Sequence, residues 1–314
     1  MKFSLVIPVA PYRDAEIIES IKRLDYPRGE FQVIVVKGKN PSENRNKGFD
    51  KSLGDFIVFL DDDAVIEKDY LKQIADFFEN HPEIDIVGGP QLTPKDDKGF
   101  AKISGYALES KFGAYKVSKR YSCKEEDYDV DETCLTSANL ICKRKVLEKI
   151  KFDPSLFPGE DPKFISDAKK QGFMIAYFPK IVIYHRRRST PKELAKQIFN
   201  YGKVRPKKEK FAETIKMPFF LIPSLFAIYL LFLGISLLLN PVLTGGIIGV
   251  KTQYNFILLL PLFIYLFLAI LFSFVDSIKN KNLKAIFILP FIYPIIHLSY
   301  GIGMIWGYFR KLKK

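Results

Sequence analysis

Apolar residues along the N-terminal two-thirds of the chain fall in short runs separated by helix-spaced stretches. Residues 3–9 are a β-branched run with Pro8 near its end, bounded like a buried strand. Positions 14–24 carry Ile17, Ile18, Ile21 and Leu24 at helical spacing behind an Asp. The run 31–36 predicts a second strand, Ser42 opens a helix reaching 52, and 56–60 predicts a third strand. Asp69 is placed to cap a helix whose apolar face is Leu71, Ile74, Ala75, Phe77 and Phe78, and 84–87 predicts a fourth strand. A helix over 162–171 and strands over 173–178 and 181–184 complete the pattern. Strands alternating with helices predict an α/β fold built on a Rossmann-like, mostly parallel sheet, with ligands beyond the carboxyl ends of its strands.

The pattern then changes. Three uncharged apolar runs follow, 217–239, 254–275 and 285–309, and the last contains Pro290, Pro294, His297 and three glycines. A bilayer core of about 30 Å needs roughly 20 apolar residues in a helix, and each run is long enough. Buried helices of a soluble domain are the alternative, but soluble helices rarely stay apolar on every face. The expected organisation is a catalytic domain over 1–205, a basic juxtamembrane linker over 206–216 and an α-helical transmembrane region over 217–314. The Met-Lys-Phe-Ser start with its short apolar run does not read as a signal peptide.

Charge sets the orientation. The chain has 314 residues, 48 Lys+Arg against 35 Asp+Glu, and a net charge of +13. Eight basic residues and one acid, Asp276, follow position 217, leaving 40 basic and 34 acidic residues before it. The connection 240–253 carries Lys251 alone, whereas 186–216 and 276–284 are rich in Lys and Arg, so the catalytic domain is expected to face the cytoplasm. A third full crossing would put Arg310, Lys311, Lys313 and Lys314 outside, against that rule. The third segment is therefore expected to be broken or re-entrant, or to end as an interfacial helix held by Trp306 and Tyr308. With 48% hydrophobic residues the chain is not disordered, and Cys123, Cys134 and Cys142 form no disulfide scaffold. Basic charge beside a membrane implies membrane lipids as partners; no nucleic-acid-binding module is present.

Two acidic groups carry candidate chemistry. The third strand runs straight into Asp61-Asp62-Asp63, three adjacent carboxylates that a cation would compensate. In extended chain Asp61 and Asp63 share a face, an arrangement suited to Mg²⁺ or Mn²⁺ bridging to phosphates; a solvated acidic turn is the alternative. Further on, Glu160 and Asp161 follow Pro158-Gly159. Asp161 reads either as a helix cap or as a general base accepting a proton from an attacking hydroxyl. His185-Arg186-Arg187-Arg188 reads as a membrane-facing stripe or as a diphosphate clamp with His185 as a metal ligand.

The segments Ser4-Leu-Val-Ile-Pro-Val9, Asn44-Arg-Asn-Lys-Gly48, Phe59-Leu-Asp-Asp-Asp-Ala64, Ser137-Ala-Asn139, Phe152-Asp-Pro154, Gly159-Glu-Asp161 and Tyr184-His185 share order and spacing with one family. Over residues 2–205 the chain resembles the family 2 glycosyltransferases, inverting enzymes of GT-A fold. The later segment Lys196-Gln-Ile-Phe-Asn-Tyr-Gly-Lys-Val-Arg205 resembles a membrane-anchored subgroup.

The resemblance implies a nucleotide-diphosphate sugar donor, a divalent cation and a lipid-linked or glycan acceptor. It implies donor contacts at Pro8, Val9, Ala10, Arg45, Asp61 and Asp62, with Arg45 near base and ribose. It implies metal ligation by Asp61, Asp63 and His185, Asp161 as base and Glu160 beside it near the acceptor. Weaker candidates for diphosphate or acceptor contact are Asn139, Arg186, Arg187, Arg188, Gln197, Tyr201 and Arg205. Where the family usually has an acid after the second strand, this chain has Lys37-Gly38-Lys39-Asn40, so no base is assigned to the nucleotide. A polyprenyl-phosphate sugar synthase is the nearest alternative, its anionic acceptor needing no base. A membrane-tethered anion-binding scaffold is the non-enzymatic one.

Overall fold

The computed structural model describes residues 1–243 and 251–312. Part of the 240–253 connection, and Lys313 and Lys314 of the basic tail, lie outside them. The chain divides into two compact units. One comprises Met1–Glu109 and Lys116–Arg187, the other Ser110–Tyr115 and Arg188–Lys314.

The first unit contains nine strands: β1 Phe3–Val9, β2 Phe31–Lys37, β3 Phe56–Leu60, β4 Ala64–Ile66, β5 Ile86–Gly88, β6 Gln91–Leu92, β7 Asn139–Lys143, β8 Ile175–Tyr177 and β9 Ile183–His185. Six form a sheet in the order β2-β1-β3-β7-β5-β8. All its pairings are parallel except those of β7, which runs antiparallel to both β3 and β5. The sheet is thus mostly parallel, as the strand–helix alternation predicts.

Side-chain alternation explains why its central strands β1 and β3 are almost wholly apolar. Phe3, Leu5, Ile7 and Val9 of β1 join one hydrophobic cluster and Val6 the other; Val58 and Leu60 of β3 join the first, Ile57 and Phe59 the second. These two strands feed a core on both faces, and each large side chain fully buried contributes roughly 1.5–3 kcal/mol.

A second sheet, β4-β9-β6, matters for function because of its register. β4 pairs antiparallel with β9 so that Ala64 faces His185, which brings the imidazole beside the carboxylate one residue earlier in the chain.

Several local expectations are corrected. The stretch 14–24 is helical only over Ile18–Ile21, because tertiary bonds draw its ends away: Ile17 N–H donates to the Asp62 carbonyl (3.0 Å) and Asp25 N–H to that of Lys68 (2.8 Å). The helix expected from Ser42 is Pro41–Asp50, and Asn40 caps it by accepting from the backbone N–H groups of Ser42 and Glu43 (3.0 and 3.3 Å). Asp69 precedes the helix Tyr70–Asn80 but makes no cap bond; its carboxylate accepts from Gln73 instead (3.0 Å). The helix expected from 162 is Glu160–Lys170, so both acids occupy its first turn.

The second unit is helical. It contains Pro191–Lys208, Phe211–Ile215, Ile222–Leu243, Lys251–Lys279 and Leu289–Leu312. Among the described residues three segments, Pro218–Leu238, Ile257–Lys279 and Leu289–Lys311, are long and apolar enough to cross a membrane. The last, expected to be broken at its prolines, is one continuous helix through Pro294. Pro290 sits in its first turn, where the missing N–H has no intrahelical partner to lose.

Candidate active site

The site is assembled at the carboxyl ends of β1 and β3. β3 delivers Asp61, Asp62 and Asp63 as it leaves the core, and the β4–β9 register delivers His185. One ligand atom from each of Asp61, Asp63 and His185 lies within 4.8 Å of the others. The His185 Nε2 is 3.1 Å from Asp63 Oδ1 and 3.6 Å from Asp61 Oδ2. Arg13, in the loop after β1, bridges Asp62 (Nη1–Oδ1 3.2 Å) and Asp63 (Nη2–Oδ2 3.0 Å). Nothing in the sequence reading singled it out. The available signal was the demand itself, since three adjacent carboxylates at a strand end require cations from a neighbouring loop.

The triplet is electrically uneven. Burial works against ionisation of Asp63, yet hydrogen bonds and charge from His185 and Arg13 outweigh it and hold the carboxyl well below the usual carboxylate range. Burial pushes Asp62 up to about 6; Arg13 opposes this, and the Asp63 and Asp61 charges add to it. Burial also disfavours the His185 cation, but Asp61 and Asp63 raise the imidazole to about 10.

Arg45 joins this group to the second one. Its helix buries Arg45 on the same face as Ser42, Asn44, Gly48 and Phe49. From there Nη2 donates to Asp61 Oδ1 (3.3 Å) and Nη1 to Glu160 Oε1 (2.9 Å), while the guanidinium lies 5.4 Å from the Phe152 ring centroid. Arg45 is only 4% exposed, and its Nε has no partner among the described residues. The resemblance placed this residue beside base and ribose. The structure instead commits two of its nitrogens to acids of the site.

Glu160 is equally buried, its Oε2 accepting from the Gly159 N–H (2.9 Å). Gly159 adopts φ 126°, which favours glycine and turns the chain into the helix at that point. Burial, and then the Asp161 charge, push Glu160 up to about 7 against the pull of Arg45. Asp161 makes no cap bond; it is half-buried and its Oδ1 accepts from the Ser137 hydroxyl. Ser137 lies in a motif noticed in the sequence, without a role.

Other expected residues fall elsewhere. Pro8 and Val9 are buried in β1, paired with Val36 and Lys37, and Ala10 is half-buried just beyond. Asn139 is 1% exposed and committed to the core: it accepts from Tyr70 (2.7 Å) and donates to the Ile181 carbonyl (2.8 Å), so its expected diphosphate or acceptor contact is not available. Arg186 pairs with Asp96 and Asp97 (2.9 Å each). Arg187 donates to Thr93 (3.0 Å) and the Gln91 carbonyl and lies over the Tyr121 ring. Both bond to acids, a hydroxyl and a carbonyl of their own surroundings. Arg188, Gln197, Tyr201 and Arg205 belong to the second unit. There Gln197 donates to Tyr201 (3.0 Å), and Arg205 pairs with Glu209 (2.8 Å) over the Phe220 ring.

Comparison with known proteins shows what the chain is similar to. A family model described as "Glycosyltransferase like family 2" matches residues 1–200. The chain is 28% identical over 167 residues to the minor teichoic acid biosynthesis protein GgaB of Bacillus subtilis, covering 51% of this chain and 17% of that protein. Over 293 residues it is 23% identical to the dolichyl N-acetyl-α-D-glucosaminyl phosphate 3-β-D-2,3-diacetamido-2,3-dideoxy-β-D-glucuronosyltransferase of Methanococcus voltae, covering 77% of this chain and 85% of that one. Among solved structures, a mannosyltransferase from Pyrobaculum calidifontis is similar at 16% identity with a TM-score of 0.48, covering 68% and 64% of the two chains. The chain spans less than a fifth of the length of GgaB.

Proposed function

The chain belongs to the family 2 glycosyltransferases, and from that premise we propose that it moves a sugar from a nucleoside-diphosphate donor onto a hydroxyl of a lipid-linked or glycan acceptor, with inversion, at the cytoplasmic face of a membrane. The observation that carries the reading is Arg45. One guanidinium holds Asp61 of the strand-end triplet and Glu160 of the Gly-Glu-Asp turn, so two motifs far apart in sequence form one constellation.

Within it Asp161 is the base. As the acceptor oxygen attacks the anomeric carbon, its proton passes to the Asp161 carboxylate and the bond from that carbon to the diphosphate oxygen breaks. The nucleoside diphosphate leaves on the opposite side. Ser137 fixes the orientation of Asp161 by donating to one of its oxygens, and Glu160, clamped by Arg45 and Gly159, sets the position of the helix's first turn.

The donor set also fits a divalent cation. Two carboxylate oxygens and one imidazole nitrogen converge, and in the absence of a metal their demand for positive charge is met by Arg13 and a protonated His185. Asp61, Asp63 and His185 would hold Mn²⁺ or Mg²⁺, which when bound would offset the negative charge growing on the departing diphosphate. The acceptor assignment draws on the Methanococcus voltae relative, named for acting on a dolichyl-phosphate-linked sugar.

The test is a screen of nucleotide sugars for Mn²⁺-dependent nucleotide release by the purified chain, with and without a lipid extract. Release with one donor, and loss of metal-dependent donor binding in Asp63→Ala, are expected. No release from any donor in either condition would favour a non-catalytic scaffold.

A further inference from the structure

The third apolar helix, Leu289–Leu312, has the length to cross a bilayer, but among the described residues it meets the first apolar helix only at that helix's first two turns and the second from Tyr265 to Asp276 in its last turn. At its start, the Tyr293 hydroxyl donates to Asp276 Oδ2 (2.6 Å), in the last turn of Lys251–Lys279. Next, His297 shares a hydrogen bond with Tyr265 (2.9 Å), whose ring stacks on Phe226 in the second turn of Ile222–Leu243. The other imidazole nitrogen of His297 meets the Phe112 carbonyl (2.9 Å), one residue from the exposed Lys111. At its middle, Gly301 lies so close to Pro223 that an added Cβ would come within 2.2 Å of the proline carbonyl; Pro223 is the second residue of the first apolar helix.

The remainder runs beside a helix that cannot enter hydrocarbon. A Cβ on Gly303 would meet the Phe199 carbonyl at 2.2 Å, and one on Gly307 the Lys203 carbonyl at 2.4 Å. Lys311 donates to the carbonyls of Pro206 and Glu209. The paired numbers rise together, so the two helices run parallel at a constant offset, with backbones in contact through glycine. Helix Pro191–Lys208 carries Lys192, Glu193, Lys196, Lys203, Arg205, Lys207 and Lys208, and with that offset its first residue falls opposite position 295. Only 289–294 remain, about 9 Å of helix against roughly 30 Å of hydrocarbon. The third helix is also the most covered by protein: 39% of its most apolar window is buried, against 11% in each of the other two.

We infer that Leu289–Leu312 does not cross the membrane but lies along the lipid headgroup layer, paired with Pro191–Lys208 as an interfacial platform. Its uncovered side, with Phe291, Ile302, Trp306 and Phe309, is the surface that meets the acyl–headgroup boundary, and Lys284, Arg310 and Lys311 suit an anionic leaflet. Positions 196 and 310 then lie on the same side of the bilayer.

Sidedness decides it. In full-length chains carrying Cys123→Ser, single Lys196→Cys and Arg310→Cys variants are reconstituted in sealed vesicles and treated with a membrane-impermeant maleimide before and after permeabilisation. Equal fractions labelled before permeabilisation at 196 and 310 are expected. Complementary fractions, one position protected wherever the other reacts, would overturn the platform. The unsubstituted protein supplies a second reading, because Trp306 is its one tryptophan. Lipids brominated near the headgroup should quench its fluorescence more than lipids brominated near the chain end; the reverse order would also overturn it.

Discussion

The two acidic groups of the site solve the same electrostatic problem in opposite ways. At Asp61–Asp63, adjacent carboxylates sit at the mouth of a strand and are compensated by cations from elsewhere in the chain, Arg13 of a loop and His185 of β9, so that Asp63 stays ionised. At Glu160–Asp161, one carboxylate is turned into the protein against Arg45 and tends toward its neutral form, while its neighbour stays half-buried with a serine for partner. The first arrangement concentrates negative charge where a cation can be held. The second leaves one carboxylate half-buried and fixed by a single hydroxyl donor. Neighbouring residues of the same chemistry thus acquire different roles from what packs against them.

The largest expected effect separates the two groups outright. Asp161→Asn should lower turnover by about 10²–10⁴-fold with donor affinity nearly unchanged, since general-base catalysis contributes on that order. Nucleotide release and calorimetry on one preparation check it, and near-normal turnover would remove Asp161 from its role.

Cutting the link between them comes next. Arg45→Ala leaves Glu160 and Asp61 without their shared partner, and stripping one member from a buried ion pair costs about 3–5 kcal/mol. Chemical denaturation reads the loss, and Glu160→Gln in the same background should recover part of it. If the double variant is no more stable than Arg45→Ala, the clamp is not what holds the two motifs together.

A smaller change touches the second group alone. Ser137→Ala removes a hydrogen bond to a charged acceptor, an interaction of about 1.5–3 kcal/mol, and should appear in kcat while the KM for donor stays put. Equal changes in both constants would point to general loosening.

The mildest perturbation is pH, acting on the first group. His185 has a folded pKa of about 10 against the ordinary 6.5, so its contribution to stability is complete below pH 6.5 and fades as pH rises toward 10. Thermal melts in chelator across that window should slope downward, and His185→Gln should flatten the slope. Added Mn²⁺ should oppose the trend, because a metal ligand must be neutral imidazole.

Much of this was legible along the chain. Runs such as Phe3–Val9 and Phe56–Leu60 are apolar on both faces because a central parallel strand has no solvent side, and so they announce themselves. Asp61–Asp63 stood out for its position at such a strand's end. β4 and β6 were not legible: strands of three and two residues exist only because β9 pairs with them. The helix over 14–24 was overcalled for the converse reason, its spacing being genuine while its backbone groups bonded to Asp62 and Lys68.

By itself, the sequence determined the kinds of parts: which runs are buried on both sides, which are apolar all round, and where carboxylates crowd. Those properties are local, set by side-chain chemistry and a period of two or 3.6 residues. Tertiary structure decided the partnerships: that Arg45 turns inward to two acids, that His185 meets Asp63 through a strand register, that Asn139 is spent on the core. It also set a charged helix against the backbone of the third apolar one. Each joins residues distant in the chain, and no local period encodes which distant group a buried charge will find.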